Sequence, residues 1–159
     1  MNYSGSGAQA DPYIVFDWEG FIYCLGTATS SKKIYVELGD NLEAPTAATT
    51  TVTMNYLKQL DGKGFSINGL CGSYVIYAES NHTYIKNISF TNHYCYDRCF
   101  INYVGSNNHS SYLHLENVKI SGLFDSCMLF YRADVSYVYN LYLSSVSINA
   151  ETRNGQFEI

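Results

Sequence analysis

Short runs in which apolar and polar residues alternate recur along the chain. The clearest is the second half of residues 60–70, LDGKGFSINGL, and looser copies follow as NISFTNH, NVKISGL and SVSINAE. Each copy has two apolar residues two positions apart: Phe65/Ile67, Ile88/Phe90, Val118/Ile120 and Val146/Ile148. The first members lie 23, 30 and 28 residues apart (65 to 88, 88 to 118, 118 to 146). Alternation at period two predicts strands with one buried face, and this recurrence predicts stacked repeats.

Two further sets of apolar residues keep the same spacing, one at 75–77, 100–103, 128–131 and 157–159 and the other at 84–85, 112–115 and 141–143. Three short strands per repeat without a helical period predict an all-β fold, namely a right-handed parallel β-helix of about four coils. Asn87 and Asn117 precede the strand in two copies, where Asn can adopt a left-handed turn conformation. Gly64 and Ser145 occupy the equivalent position in the other two copies.

The N-terminal region differs from the repeats. Residues 1–12 are rich in Gly and Ser and end in Asp-Pro, which predicts an extended lead-in. In residues 17–26, Asp17 suits a helix N-cap and Gly26 a helix stop. Apolar residues between them repeat at i, i+3, i+4 and i+7: Trp18, Phe21, Ile22 and Leu25. This pattern predicts a short capping helix, with a loop anchored by Trp18 as the alternative, and residues 34–159 then form the coils of a single domain.

Composition excludes some classes of partner. The net charge is −5 and only 14% of residues are charged, so a basic stripe that could neutralise phosphates is missing and nucleic acid is not an expected partner. No apolar run is long enough to span a membrane, and the N-terminus lacks the features of a signal peptide. We therefore expect synthesis in a cytoplasm and no membrane partner.

The five cysteines are an odd number, which suits a reducing compartment where cysteines pack as small apolar residues. His93, Cys95 and Cys99 offer three soft ligands within seven residues, so a structural zinc is one alternative. A Cys95–Cys99 disulfide is another. We expect neither a metal nor a cofactor, because the spacing is not that of a familiar zinc motif.

Catalytic chemistry has little support in the sequence. Glycan-cleaving enzymes place paired carboxylates a few ångströms apart. The charged candidates do not recur at equivalent places in neighbouring repeats: Asp97, Arg98, Glu116, Asp125, Arg132 and Asp134. Neither a nucleophile elbow nor a phosphate-binding glycine loop is present. We therefore expect a protein that is not an enzyme.

Binding is better supported, because tyrosines crowd the later repeats and can stack on sugar rings or form a protein interface. Alternation along a strand would turn about half of them inwards. The candidate binding residues are four tyrosines and two apolar residues of the last predicted strand: Tyr103, Tyr131, Tyr139, Tyr142, Phe157 and Ile159.

Five segments resemble a known family in their order and spacing: GSGAQADPYIV (5–15), Trp18, IYVELGDNL (34–42), LDGKGFSINGL (60–70) and IKNISFTN (85–92). They are similar to β-helical proteins of bacteriophage particles and bacterial surfaces, which open with a GSGTQADPY-like lead-in and a Trp-containing helix. The resemblance covers roughly the first 92 residues. The family pattern has a His after DGxG, where this chain has Phe65. The resemblance implies a structural or attachment role on a virion, and it carries over no catalytic residue.

Together these observations predict a non-enzymatic structural component of a bacteriophage particle, either a capsid decoration or fibre protein or a tail-associated protein. It would dock on other virion proteins or on identical chains, for example as a homotrimer, through an open C-terminal coil or a Tyr-rich face. The alternative is a module that binds or cleaves a host surface polysaccharide. A bacterial adhesin fragment is a third reading.

Overall fold

A computed structural model of the chain describes residues 1–46, 52–79, 82–104, 111–125, 127–132, 139–152 and 157–158. Helix α1 spans Trp18–Gly26. The strands, numbered in chain order, are β1 Tyr3–Ser4, β2 Tyr13–Val15, β3 Ile34–Leu38, β4 Leu42–Glu43, β5 Val52–Thr53, β6 Leu57–Asp61, β7 Ser66–Asn68, β8 Cys71–Glu79, β9 His82–Val104, β10 Ser111–Asp125, β11 Cys127–Arg132, β12 Tyr139–Ser144, β13 Ser147–Thr152 and β14 Phe157–Glu158. The chain is therefore mostly β with one short helix.

Equivalent positions of the repeated segments pair with one another, as their spacing predicted. Along the order β2-β3-β6-β9-β10-β12 the strands are parallel, and the register shifts only between Ile34 and Tyr35 of β3 and between Ile120 and Gly122 of β10. Apolar side chains of these strands form one buried column: Val36, Leu60, Ile85 and Leu115. A second buried column runs through β4, β7, β9 and β10: Leu42, Ile67, Phe90 and Ile120. These two columns are the centre of the core.

The predicted right-handed parallel β-helix is nevertheless wrong. The strands form a mixed sheet that is not solenoid-like, and its first pair, β1 and β2, is antiparallel. Three separate short strands per repeat are also not seen, because β9 continues for 23 residues and β10 for 15. The physical reason is that alternation specifies which face of a strand is buried. It does not specify where a strand ends or in which direction its neighbour runs.

The antiparallel start follows from two glycines in the lead-in. Gly5 and Gly7 have φ angles of 84° and 81°, values that other residues rarely adopt. A Cβ on Gly5 would also lie 2.0 Å from the carbonyl oxygen of Pro12. The chain therefore turns back tightly, and Tyr3 pairs with Val15 in the register of a short antiparallel pair.

Helix α1 is present, and Asp17 is its N-cap as predicted, because its carboxylate accepts a hydrogen bond from the Gly20 amide at 2.7 Å. One detail of the prediction is wrong: Ile22 is 40% exposed, and Cys24 takes its place on the buried face. The predicted stop at Gly26 is confirmed, since Gly26 is the last helical residue and the Thr27 amide and hydroxyl donate hydrogen bonds to the last carbonyls.

The predicted left-handed positions are confirmed. Asn87, Asn117 and Ser145 have φ angles of 52°, 52° and 53°, and Gly64 has a φ of 94°. The Asn117 side-chain amide donates to Asn87 Oδ1 at 3.0 Å, and the Asn87 amide donates to Asp61 Oδ1 at 3.1 Å. These side-chain hydrogen bonds, called the polar ladder below, join three successive repeats at or next to the left-handed positions.

Strand β12 exposes apolar side chains at positions that are buried in its neighbour β10. Leu141 and Leu143 continue the apolar positions of β10, where Leu113 and Leu115 are buried. In β12 the two leucines are 45% and 47% exposed, and Tyr142 between them is 50% exposed. Within the described ranges no further strand pairs with the outer edge of β12. Both faces and one edge of this strand are thus accessible.

The close approach of neighbouring repeats can be tested at Gly62. A Cβ there would lie 2.5 Å from both the Asn87 carbonyl oxygen and the Ile88 Cβ. We expect Gly62→Ala to lower the free energy of unfolding by about 1–3 kcal/mol, because backbone must move to admit the methyl group. Urea denaturation measures this change.

Gly26→Ala is the matched control for this prediction. A Cβ on Gly26 meets no atom within 4 Å. We expect this variant to be neutral or stabilised by up to about 1 kcal/mol, since alanine restricts the unfolded chain. Equal destabilisation of both variants would contradict the proposed tight contact between repeats.

Candidate functional site

An aromatic ladder crosses the outer face of the sheet. It consists of His82 and Tyr84 on β9, Tyr112 and His114 on β10, and Tyr142 on β12. The His82 and Tyr112 rings stack at a centroid distance of 4.6 Å, and Tyr112 stacks on Tyr142 at 6.1 Å. His114 lies 4.5 Å from Tyr84 and 5.8 Å from Tyr142. Parallel in-register pairing produces the ladder, because it places outward side chains of successive strands side by side.

A basic cluster borders the ladder at the end nearest β3 and β6. It consists of Lys33, Lys58 and His82. Burial lowers the pKa of Lys33, and the charge of Lys58 lowers it further. Burial also lowers the pKa of His82, and the charge of Lys58 lowers it further. The Lys33 amino group also lies 4.4 Å from the centre of the Tyr56 ring, within cation–π range.

Tyr56, whose ring contacts Lys33, has an uncommon backbone conformation. Its φ angle is 59°, a value that a bulky side chain rarely adopts. Its carbonyl oxygen accepts a hydrogen bond from the Ile34 amide. Such conformations persist when the surrounding structure holds them, and they concentrate at functional sites.

Beside the ladder, Asp61 and Glu37 are paired with lysines, whereas Glu116, on the same face of β10 as Tyr112 and His114, is in no ion pair of the described residues. Asp61 is only 5% exposed, and its carboxylate lies 3.5 Å from the Lys86 amino group and 3.9 Å from that of Lys63. Lys63 also pairs with Glu37 at 3.4 Å. Among the ion pairs of the described residues, none includes Lys33 or Lys58. The basic cluster therefore keeps a positive charge on a protein whose net charge is −5.

A second surface feature is a groove of about 490 Å³ above His93, bordered by Ser121, Gly122 and Glu151. His93 is 2% exposed, and its ring contacts Phe100 and Phe124 at 4.6 Å each. Its ring nitrogens make no hydrogen bond of good geometry within the described part of the chain. Burial lowers the pKa of His93 to about 4, and the nearby Ser121 backbone opposes this shift only in part.

The zinc alternative finds no support here. Within the ranges that the structure describes, His, Cys, Asp and Glu side chains form no group of three or more that could hold a metal ion. Cys95 and Cys99 are both buried. Burial also raises the pKa of the Cys24 thiol to about 11, which keeps it protonated and unreactive at neutral pH.

Among the described residues, the predicted binding residues lie on four strands: β9, β11, β12 and β14. Tyr139 and Tyr142 lie on β12, and Tyr142 belongs to the aromatic ladder. Tyr103 lies on β9 opposite Arg132, one position beyond Tyr131 on β11. The backbone of Phe157, on β14, pairs with Cys127, and Ile159 lies outside the described residues.

Sequence reasoning missed His82, His114 and Lys58. The signal was available in the repeat spacing, since equivalent outward positions pair His82 with Tyr112 and His114 with both Tyr84 and Tyr142. The alignment of the repeats considered only the inward apolar residues. Alignment of the outward residues in the same register would have placed imidazole and phenol rings in one row.

Comparison with protein-family models finds no matching family, and comparisons with curated proteins and with solved structures find no significant match. In the described chain, α1 is the helix, and it is neither long nor apolar enough to cross a membrane. The two surfaces above and the exposed strand β12 are therefore the features that bear on function.

The buried imidazole predicts a pH-dependent stability. Below about pH 6.5 the unfolded chain protonates His93, whereas the folded protein does so only near pH 4. Stability is therefore lost as the pH falls through this interval, by roughly 3 kcal/mol for a shift of this size. We expect His93→Phe, which keeps an aromatic ring, to remove this part of the pH dependence in urea denaturation series.

His93→Gln separates ionisation from polarity. It should show the same reduced pH dependence as His93→Phe but a lower stability at every pH, because a buried amide costs free energy without partners. If both variants keep the slope of the unmodified protein between pH 6.5 and pH 4, the prediction is wrong.

Proposed function

We propose that this protein is a non-enzymatic structural component of a bacteriophage particle that assembles through the exposed surface of β12. A capsid decoration or fibre protein and a tail-associated protein are the forms that suit this role. The observation that carries the proposal is the exposure of three consecutive residues, Leu141 to Leu143, although the neighbouring strand places the two leucines in the core register.

Exposed leucines at the end of a core column favour association. Complete cover of Leu141 and Leu143 by another surface would contribute roughly 2 kcal/mol from apolar burial alone. A partner strand would also satisfy the backbone amides and carbonyls along the open edge of β12. The resemblance of the lead-in and of the NISF-like strand to phage-particle proteins supports the assignment to a virion.

The two ends of the sheet are unlike, which bears on the identity of the partner. At the other end, β1 pairs antiparallel with β2 and spans only two residues, and α1 buries Phe21 and Cys24 against the core. A strand added head-to-tail would have to pair with β1, which is only two residues long. We therefore propose that identical chains meet through their β12 surfaces, a contact between like surfaces that closes as a dimer.

Light scattering coupled to size exclusion at micromolar concentration tests this proposal. We expect an oligomer for the unmodified chain, and at least about tenfold weaker association for Leu143→Glu, because a carboxylate would lie in the apolar contact. Circular dichroism would verify that the variant remains folded, which we expect since Leu143 is already 47% exposed.

Ile22→Glu is the matched control, because Ile22 is similarly exposed but lies on α1 at the opposite end. It should leave the oligomer unchanged. A monomeric unmodified protein would overturn association between identical copies. An oligomer that Ile22→Glu abolishes and Leu143→Glu does not would place the interface on the helix.

A second candidate function is recognition of a host surface polysaccharide. The aromatic ladder favours it, because a row of phenol and imidazole rings with polar tips can hydrogen-bond the hydroxyl groups of a sugar. This function would use the opposite face of β12 from Leu141 and Leu143, and Tyr142 is the one residue that the ladder shares with the exposed segment.

A further inference from the structure

The basic cluster and the aromatic ladder meet at a shallow depression of about 160 Å³. Six residues line it: Lys58, His82, Thr83, Tyr84, Tyr112 and His114. Pockets that enclose a whole small ligand measure roughly 300–1,000 Å³. This depression is smaller and open, so it suits one unit of a longer chain that continues over the surface.

We propose that this depression binds a carboxylate-bearing sugar unit of an acidic polysaccharide, with the sugar ring on the Tyr84 and Tyr112 side and the carboxylate near Lys58. The proposal specifies the ligand class for the second candidate function and rests on that function alone. It does not depend on assembly through β12.

Charge supports an anionic ligand. Lys58 and His82 both line the depression on a protein of net charge −5, and the charge of Lys58 disfavours the protonated forms of Lys33 and His82. The nearby carboxylate of Asp61 is occupied by Lys63 and Lys86. A carboxylate supplied by a ligand would relieve this repulsion and form charge-assisted hydrogen bonds with an amino group.

The rings distinguish a sugar from a simple anion. His82 and Tyr112 stack with an interplanar angle of 19°, and Tyr112 and Tyr142 with an angle of 16°. Nearly parallel rings in a row across three strands cover one another's faces, so the row presents ring edges and polar tips beside Lys58. A sugar acid has both features that this surface complements, hydroxyl groups that can hydrogen-bond the polar tips and a negative group. Inorganic phosphate has only the negative charge.

Isothermal titration calorimetry with trigalacturonic acid and with its fully methyl-esterified form tests the inference. The ester keeps the sugar rings and removes the negative charges of the carboxylates. We expect the acid to bind at least about tenfold more tightly than the ester at low salt, and the difference to shrink as salt screens the charges. Titration with 3′-sialyllactose and lactose asks whether a sialic acid serves as well as a uronic acid.

Two substitutions locate the site. Lys58→Gln should weaken binding of the acid about tenfold and leave binding of the ester unchanged. Tyr112→Leu should weaken both ligands. Lys119→Gln is the control, because Lys119 is an exposed lysine of the same strand as Tyr112 but does not border the depression. It removes the same charge and should have no effect.

Three results would overturn the proposal: equal binding of acid and ester, equal effects of Lys58→Gln and Lys119→Gln, or phosphate binding as tight as that of trigalacturonic acid. The last result would indicate an anion site without sugar recognition. Leu143→Glu should bind the acid like the unmodified protein, so failure of this proposal and failure of the assembly proposal give different results.

Discussion

The polar ladder, in which side-chain hydrogen bonds link successive repeats beside the left-handed positions, is the constraint on which the register of the sheet depends. Asn117, Asn87 and Asp61 hydrogen-bond from one repeat to the next, and the asparagines have φ angles near 50° that most residues avoid. A slip of one residue would break this ladder and would turn every apolar side chain from the core to the solvent. The polar ladder and the apolar columns therefore enforce the same register.

The functional surfaces are consequences of that register. In-register strands bury Leu60, Ile85 and Leu115 in one column and, on the opposite face, place the rings of Tyr84, His114 and Tyr142 in a row. The same rule leaves Leu143 exposed, because it occupies a core position in a strand that has a neighbour on only one side among the described residues. One geometric constraint thus produces both the aromatic ladder and the exposed apolar surface of β12.

The local predictions succeeded where a single physical rule acts on neighbouring residues. Asp17 caps α1 because its side chain reaches an amide three residues away, and the positive φ at Asn87 follows from the tolerance of Asn for that conformation. The predictions failed where tertiary contacts decide. Ile22 fits the helical pattern, yet the approach of α1 buries Cys24 instead. The parallel β-helix failed because apolar alternation does not encode strand ends or strand direction.

The sequence by itself determined the strand faces, the left-handed positions, the short helix and the pairing of equivalent repeats, since all four depend on local sterics and on apolar spacing. Only the tertiary structure decided the mixed sheet, the buried neutral His93 and the meeting of Lys33, Lys58 and His82. These features depend on side chains that are distant in sequence. Their charge interactions and burial arise only when strands of different repeats are held beside one another.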